Sequence, residues 1–302
     1  MAAATDARAR LISTTLLRRW PLPKPPGRLG KEGRGAVFVV GGCQQTPGAV
    51  ILAGLAALRV GAGTLQLASS QDVAPALAVA VPEARVLAVP TSPSGQWAIR
   101  GCRDLRADAA ACDALLIGPG MPQGVGAAAR AVVMGSLAPG GETRAIIVDA
   151  GALDLFAGRR PLATGRVPAT ILTPHPGEMA RLWGVTPEQV LADAGKIAVQ
   201  AAAALNAIVV LKGARTHVAA PDGRLYYNRD GNPGLGTSGS GDVLAGAIAG
   251  LCARGAEAVQ AAVWGVVLHA RAGDRLAASV GPLGFLAREI LDDLPRVLAA
   301  TA

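Results

Sequence analysis

Short apolar runs recur along the chain, each ending on glycine or a polar residue, and they alternate with longer segments of helical period. Ala36-Val37-Phe38-Val39-Val40, running into Gly41-Gly42, reads as a parallel strand buried on both faces. A turn over 43–47 leads into a helix over about 48–60. Gly61-Ala62-Gly63 breaks that helix, and 64–68 is the next strand, which completes a βαβ unit. Further strands are expected over 86–89, 114–117, 145–148, 169–173 and 207–211, whereas 91–110 reads as a weakly patterned connection. A helix over about 187–205 is followed by a hairpin, 216–219 and 224–227, around Pro221-Asp222-Gly223. Two Ala-rich helices close the chain, over about 256–278 and 283–299. This alternation predicts the α/β class: a three-layer, doubly wound, mostly parallel sheet with helices on both faces.

Composition narrows the picture. Hydrophobic residues make up 51% and aromatics only 3%, so the core is built from Ala, Val and Leu. No apolar run reaches the ~18 residues of a membrane span, so no membrane partner is expected. The net charge is +8, but the basic residues are scattered and hardly interleaved with aromatics. That distribution excludes a nucleic-acid footprint and leaves a mild attraction for anionic small molecules. Cys43, Cys102, Cys112 and Cys252 have neither metal nor redox spacing; buried free thiols in a reducing cytoplasm are expected. The first 35 residues are rich in Arg, Pro and Gly, with a short amphipathic helix over 11–20 stopped by Pro21, Pro23, Pro25 and Pro26. This basic, acid-poor start is similar to an organellar transit peptide. The preferred reading is an ordered arm over 1–30 lying on a single domain over 31–302.

The candidate chemistry centres on residues 231–250, G-N-P-G-L-G-T-S-G-S-G-D-V-L-A-G-A-I-A-G. A Gly/Ser/Thr loop entering a helix offers unpaired N–H groups and the positive end of the helix dipole, a ready anion site. It is neither a Walker A loop nor a dinucleotide-fold fingerprint. Asp242 stands in that hole. It is either a first-turn helix acid or a base that deprotonates a nucleophile attacking a phosphate.

Other candidates sit where strands end. Gly118-Pro119-Gly120 allows a sharp turn at a strand's carboxyl end, where open α/β sheets bind ligands. Asp149 holds a ligand or metal, or caps the helix beginning near Gly151. His175, stiffened between Pro174 and Pro176, is catalytic or structural; Glu178 beside it is a partner or a first-turn charge. Lys212 is a phosphate contact or merely extends its charge to solvent. His269 and Asp274, on a late helix, read as structural.

Taken in order, V-V-G-G at 39–42, P-G-A at 47–49, G-A-G at 61–63, G-P-G at 118–120, V-D-A at 148–150, L-T-P-H-P-G-E at 172–178, L-K-G-A-R-T at 211–216 and the 231–246 loop resemble the ADP-dependent NAD(P)H-hydrate dehydratase family, within the ribokinase-like superfamily. The resemblance implies a lyase that uses ADP, or ATP, to phosphorylate the hydroxyl of hydrated NADH or NADPH; loss of phosphate restores the ring and leaves AMP when ADP is the donor. By matching position it makes Asp242 the base and Gly239, Ser240 and Gly241 the anion hole. It gives Lys212, Gly213, Ala214, Arg215, Thr216 and Gly241 to the adenine nucleotide, and Ala49, Gly118, Gly120, His175 and Asp242 to the hydrated dinucleotide. It further implies Mg²⁺ bridging phosphates rather than held in a protein cage, a homotetramer, and a separate epimerase acting upstream. Two departures stand out: Gly151 replaces a carboxylate common in the family, and the aromatic usual before the P-G-A turn is absent. Two rivals remain from the residues themselves, a kinase acting on a vitamin-precursor alcohol and a catalytically silent nucleotide binder.

Overall fold

The computed structural model describes residues 9–24, 30–92, 97–162 and 168–301. The first elements among the described residues are a short strand β1 (Arg10–Leu11) and helix α1 (Thr14–Arg19). The first half of the domain follows as β2 (Ala36–Val40), α2 (Gly48–Arg59), β3 (Thr64–Ser70), α3 (Ala74–Ala80), β4 (Ala84–Val89), α4 (Ile99–Asp104), α5 (Arg106–Ala111), β5 (Ala114–Ile117) and α6 (Gly126–Ser136). The second half runs β6 (Ala145–Val148), β7 (Ala169–Leu172), α7 (Pro176–Trp183), α8 (Pro187–Ala192), α9 (Ala194–Leu205), β8 (Ile208–Leu211), β9 (Thr216–Ala219) and β10 (Leu225–Asn228). Three long helices end it: α10 (Ser240–Ala253), α11 (Ala258–Ser279) and α12 (Ala287–Thr301).

Among the described residues the strands form one sheet in the order β1-β10-β9-β8-β7-β6-β5-β2-β3-β4. Pairing from β4 through β8 is parallel; β9 runs antiparallel to both β8 and β10. Alternate side chains of each strand feed opposite layers, as a pleated strand requires. Val37 and Val39 pack with α2, α10, α11 and α12, while Phe38 and Val40 pack with α4–α6 and α7–α9. This is the doubly wound, three-layer sheet the alternation predicts.

The helices were less legible. Residues 99–111, expected to be a connection, form α4 and α5; Cys102, Leu105 and Ala109 supply a buried stripe at helical spacing, interrupted by charged neighbours. The single helix expected over 187–205 is parted at Asp193, whose backbone (φ −125°, ψ 34°) leaves the helical region between α8 and α9. Of the expected arm, residues 1–8 and 25–29, with Pro25 and Pro26, lie outside the described residues. The rest lies on the sheet edge and on α11. Arg10 and Leu11 pair with Tyr226 and Tyr227, Leu17 is fully buried, and the Trp20 carbonyl accepts from Trp264 Nε1 at 2.9 Å.

Candidate active site

Sheet order alone fixes one crevice. From β2 the chain winds outward through β3 to β4, then returns to the other side of β2 as β5, so the winding reverses between β2 and β5. Open α/β sheets bind ligands at the carboxyl ends of strands at such a reversal. There the two glycine loops are stitched together: Gly42 N donates to Pro119 O at 2.7 Å, and Thr46 Oγ1 donates to Gly120 O at 2.7 Å. Gly120 has φ 67°, and a Cβ on it would press against Thr46 O and Ala49 Cβ, so only glycine lets these loops close. Ala49 and Gly120 therefore meet. Gly118 lies behind them, its Cα against the Asp149 carbonyl.

Ala49 opens α2, and one turn later Leu52 reaches the loop before α10, where a Cβ on Gly239 would meet its Cδ1. Gly239 is left-handed (φ 88°) and no side chain caps α10. Ser240 faces inward: its N–H donates to Thr237 O at 3.3 Å, and its Oγ lies 2.9 Å from His269 Nε2 on α11. His269, read from sequence as structural, is thus the loop's buried anchor; burial lowers its pKa to about 4, so it is neutral at pH 7. Asp274, one turn further along α11, accepts from Gly231 N at 2.9 Å and from Asn232 Nδ2 at 3.1 Å, holding the start of the same loop.

Beside α10 lies a group of charged residues drawn from three strand ends. Lys212, after β8, places its Nζ 3.0 Å from Asp149 Oδ1 and 3.8 Å from Glu178 Oε2, and a Cβ on Gly241 would sit 3.2 Å from the same nitrogen. Asp149, after β6, is buried and also accepts from Thr173 Oγ1 at 2.7 Å. It stands at the N-cap of the 3₁₀ turn Ala150–Phe156, but its side chain makes no capping hydrogen bond there and turns to Thr173 and Lys212 instead. Burial opposes the Lys212 charge, but Asp149, Glu178 and Asp242 outweigh it and raise the lysine pKa. Asp242 shows the converse. Desolvation, then the charges of Asp149 and Glu178, raise its pKa to about 7, against the opposing pull of Lys212.

His175 caps α7: its Nδ1 accepts from Gly177 N at 3.0 Å and Glu178 N at 3.3 Å, while Glu178 Oε2 accepts from His175 N at 2.7 Å. With Nδ1 accepting, a neutral ring carries its proton on Nε2. Nε2 is then the donor, 3.5 Å from Glu178 Oε1 on a half-exposed ring. Glu178 is both a capping residue and a neighbour of Lys212.

A cavity of about 410 Å³ opens between α8, α9 and the turn after β8. Lys212, Gly213, Ala214 and Arg215 line it. Thr216 does not; its hydroxyl donates to Gly213 O at 3.3 Å and closes the turn. Asp193 and Lys196, on the opposite wall, were not legible as site residues from the sequence. The one available signal was Asp-Ala-Gly inside an otherwise continuous helical pattern. Gly151 also has a local reason: a Cβ there would overlap the Pro122 and Met121 carbonyls, so the carboxylate expected from the family has no room on this backbone path.

The chain that carries this glycine loop, its acid and the lysine after β8 matches a known family along almost the whole domain. The family model for NAD(P)H-hydrate dehydratase matches residues 37–296. The chain belongs to the NAD(P)H-hydrate dehydratase family. It is 48% identical to the ADP-dependent (S)-NAD(P)H-hydrate dehydratase of Xanthomonas campestris, over 97% of this chain and 98% of that one. It is 39% identical to a bifunctional NAD(P)H-hydrate repair enzyme of Moorella thermoacetica, over 98% of this chain but 55% of the relative. Among solved structures, the Bacillus subtilis ADP/ATP-dependent NAD(P)H-hydrate dehydratase co-crystallised with ATP/Mg²⁺ superposes with a TM-score of 0.81 at 31% identity, covering 97% of this chain and 99% of that chain. Within the dehydratase family, then, stand the residues described above: Asp242 and the α10 N-terminus, the charged group around Lys212, the cavity beside it, and the β2/β5 crevice.

Proposed function

We propose that the protein catalyses the ADP-dependent dehydration of hydrated NADH and NADPH to NAD(P)H, a nicotinamide-nucleotide repair reaction. The observation that carries this reading is Asp242: an acid whose proton affinity lies near neutral pH, set in the first turn of a helix whose N-terminus has no side-chain cap. A base works best when its pKa is near the working pH. Asp242 accepts the proton of the ring hydroxyl as that oxygen attacks the terminal phosphoryl group of the nucleotide. The N–H groups of Gly239 and Gly241 donate to the phosphoryl oxygens, with Ser240 holding their loop in place, and Lys212 beside Gly241 answers the developing charge. Phosphate then leaves with the C–O bonding pair, and loss of a ring proton restores the double bond. ADP leaves the reaction as AMP.

The adenine nucleotide takes the 410 Å³ cavity lined by Lys212, Gly213, Ala214 and Arg215, with Thr216 fixing the turn. The hydrated dinucleotide takes the β2/β5 crevice, with Ala49 and Gly120 as its floor, Gly118 shaping the turn and His175 Nε2 as a donor. Asp149 and Glu178 already serve the Lys212 ammonium, so Mg²⁺ would come with the nucleotide rather than in a protein cage and would supply charge neutralisation there. A homotetramer in the cytoplasm, supplied by a separate epimerase, completes the reading; four buried, free thiols fit a reducing compartment.

The test is to supply hydrated NADH, Mg²⁺ and either ADP or ATP, and to follow the absorbance of the reduced nicotinamide. Recovery with ADP, with one AMP formed per NADH, supports the reading. A stable phosphorylated product would make the protein a kinase, and nucleotide binding without any turnover would make it a silent binder.

A further inference from the structure

Asp149 belongs to no part of the reaction as described so far, yet it is among the most enclosed charged groups near the site. It is 2% exposed, while its partner Lys212 keeps 19% of its side chain open. Its Oδ1 receives two donors, Thr173 Oγ1 at 2.7 Å and Lys212 Nζ at 3.0 Å. The arrangement is anchored on the main chain as well: Lys212 N donates to Pro174 O at 2.9 Å, and Thr173 N donates to Val148 O at 3.2 Å. The ends of β6, β7 and β8 are thereby locked around one ion pair. A long lysine side chain loses rotamer freedom in such a geometry, and a buried counter-ion fixes where its charge lies.

We propose that Asp149 is a positioning residue for the reaction: through this buried pair it fixes the Lys212 ammonium beside Gly241, in the first turn of α10 that carries Asp242. The inference rests on the function proposed above only for its consequence in catalysis; the charge coupling is a property of the folded protein. The charges that act on Asp242 are those of Asp149 after β6, Glu178 on α7 and Lys212 after β8, whose Nζ lies beside Gly241. His269 on α11, reached through Ser240, is neutral. Two carboxylates push the proton affinity of Asp242 up and one ammonium pulls it down, so single substitutions move it in opposite, predictable directions.

The direct test is a ¹³C carboxyl titration of protein labelled at aspartate, with Asp242→Asn identifying the signal. The wild-type signal is expected to titrate near pH 7. Asp149→Asn removes a like charge and lowers that midpoint by about one pH unit or more, whereas Asp149→Glu, which keeps the charge, leaves it raised. Lys212→Met raises the midpoint. In parallel, the acidic limb of the pH–kcat profile moves the same way in each variant, and Asp149→Asn lowers kcat about tenfold at pH 8 with KM for nucleotide changed less. A midpoint that stays put in folded Asp149→Asn overturns the proposal. Should that variant fail to fold, Asp149→Asn is combined with Lys212→Met, which removes the pair whole: a midpoint below that of Lys212→Met alone supports the proposal, and an equal one overturns it. Because the titration needs no turnover, a protein without dehydratase activity would still answer the question, and the two failures are distinguishable.

Discussion

At the scale of single residues, Asp242 is held at a cost to the fold. Its folded pKa, about 7, lies above the unfolded value of 3.8. The penalty is therefore absent below about pH 4, grows as the pH rises between the two values, and is complete above about pH 7. Asp242→Asn should abolish most turnover, by roughly a thousandfold, and yet stabilise the protein by roughly 1–3 kcal/mol at pH 8, a gain that fades toward pH 4. Thermal melts across pH check both the sign and the window. Gly151 makes the opposite case. Restoring the family carboxylate with Gly151→Asp forces a Cβ into the Pro122 carbonyl, and a loss of about 1–3 kcal/mol in denaturant unfolding is expected, with no gain in kcat. Sequence could mark Asp242, His175 and Lys212 as candidates because each sits in a local motif. It could not choose a role for Asp149, whose partners Thr173 and Lys212 are 24 and 63 residues away.

Among the elements, the contact of α10 with α11 fixes how the glycine loop before α10 is presented. Ser240 at the start of α10 and His269 on α11 meet at 2.9 Å in the interior, and the loop's other end is tied to Asp274 on the same helix. The pair should behave as a unit. Ser240→Ala and His269→Phe each should reduce kcat/KM, and the double variant should be no worse than the more damaging single, with a coupling energy of about 1 kcal/mol or more. Simple additivity would show that the contact does not position the loop. The strands were legible because buried parallel strands are continuous apolar runs between glycines. Helices α3 to α6 were not, because an Ala-rich stripe carries little amphipathic contrast, and a six-residue helix such as α4 or α5 spans less than two turns of pattern.

For the molecule as a whole, the order of strands brings β2, β5, β6, β7 and β8 side by side, so that loops scattered from Gly41 to Asp242 converge on one rim of the sheet. The alternation of strands and helices was enough to expect that rim; the order of the strands, and hence the crevice between β2 and β5, needed the structure. The N-terminal arm completes the opposite edge. Ile12, Leu17 and Leu22 are buried, and Gln260 Nε2 and Trp264 Nε1 both donate to the Trp20 carbonyl. Removing residues 1–22 should expose the edge strand β10 and the α11 surface and lower Tm by at least ~5 °C, measured by calorimetry. An unchanged melt would mean that the arm is dispensable for the fold.

Everything assigned to the rim turns on phosphoryl transfer to the ring hydroxyl. It is tested most directly by preparing hydrated NADH with a heavy oxygen isotope in that hydroxyl and following the label through one turnover with ADP. Transfer to the hydroxyl predicts that the labelled oxygen leaves in inorganic phosphate. Label released as water, with NADH restored, would mean direct dehydration, and Asp242 would then not be the base of a phosphoryl-transfer step.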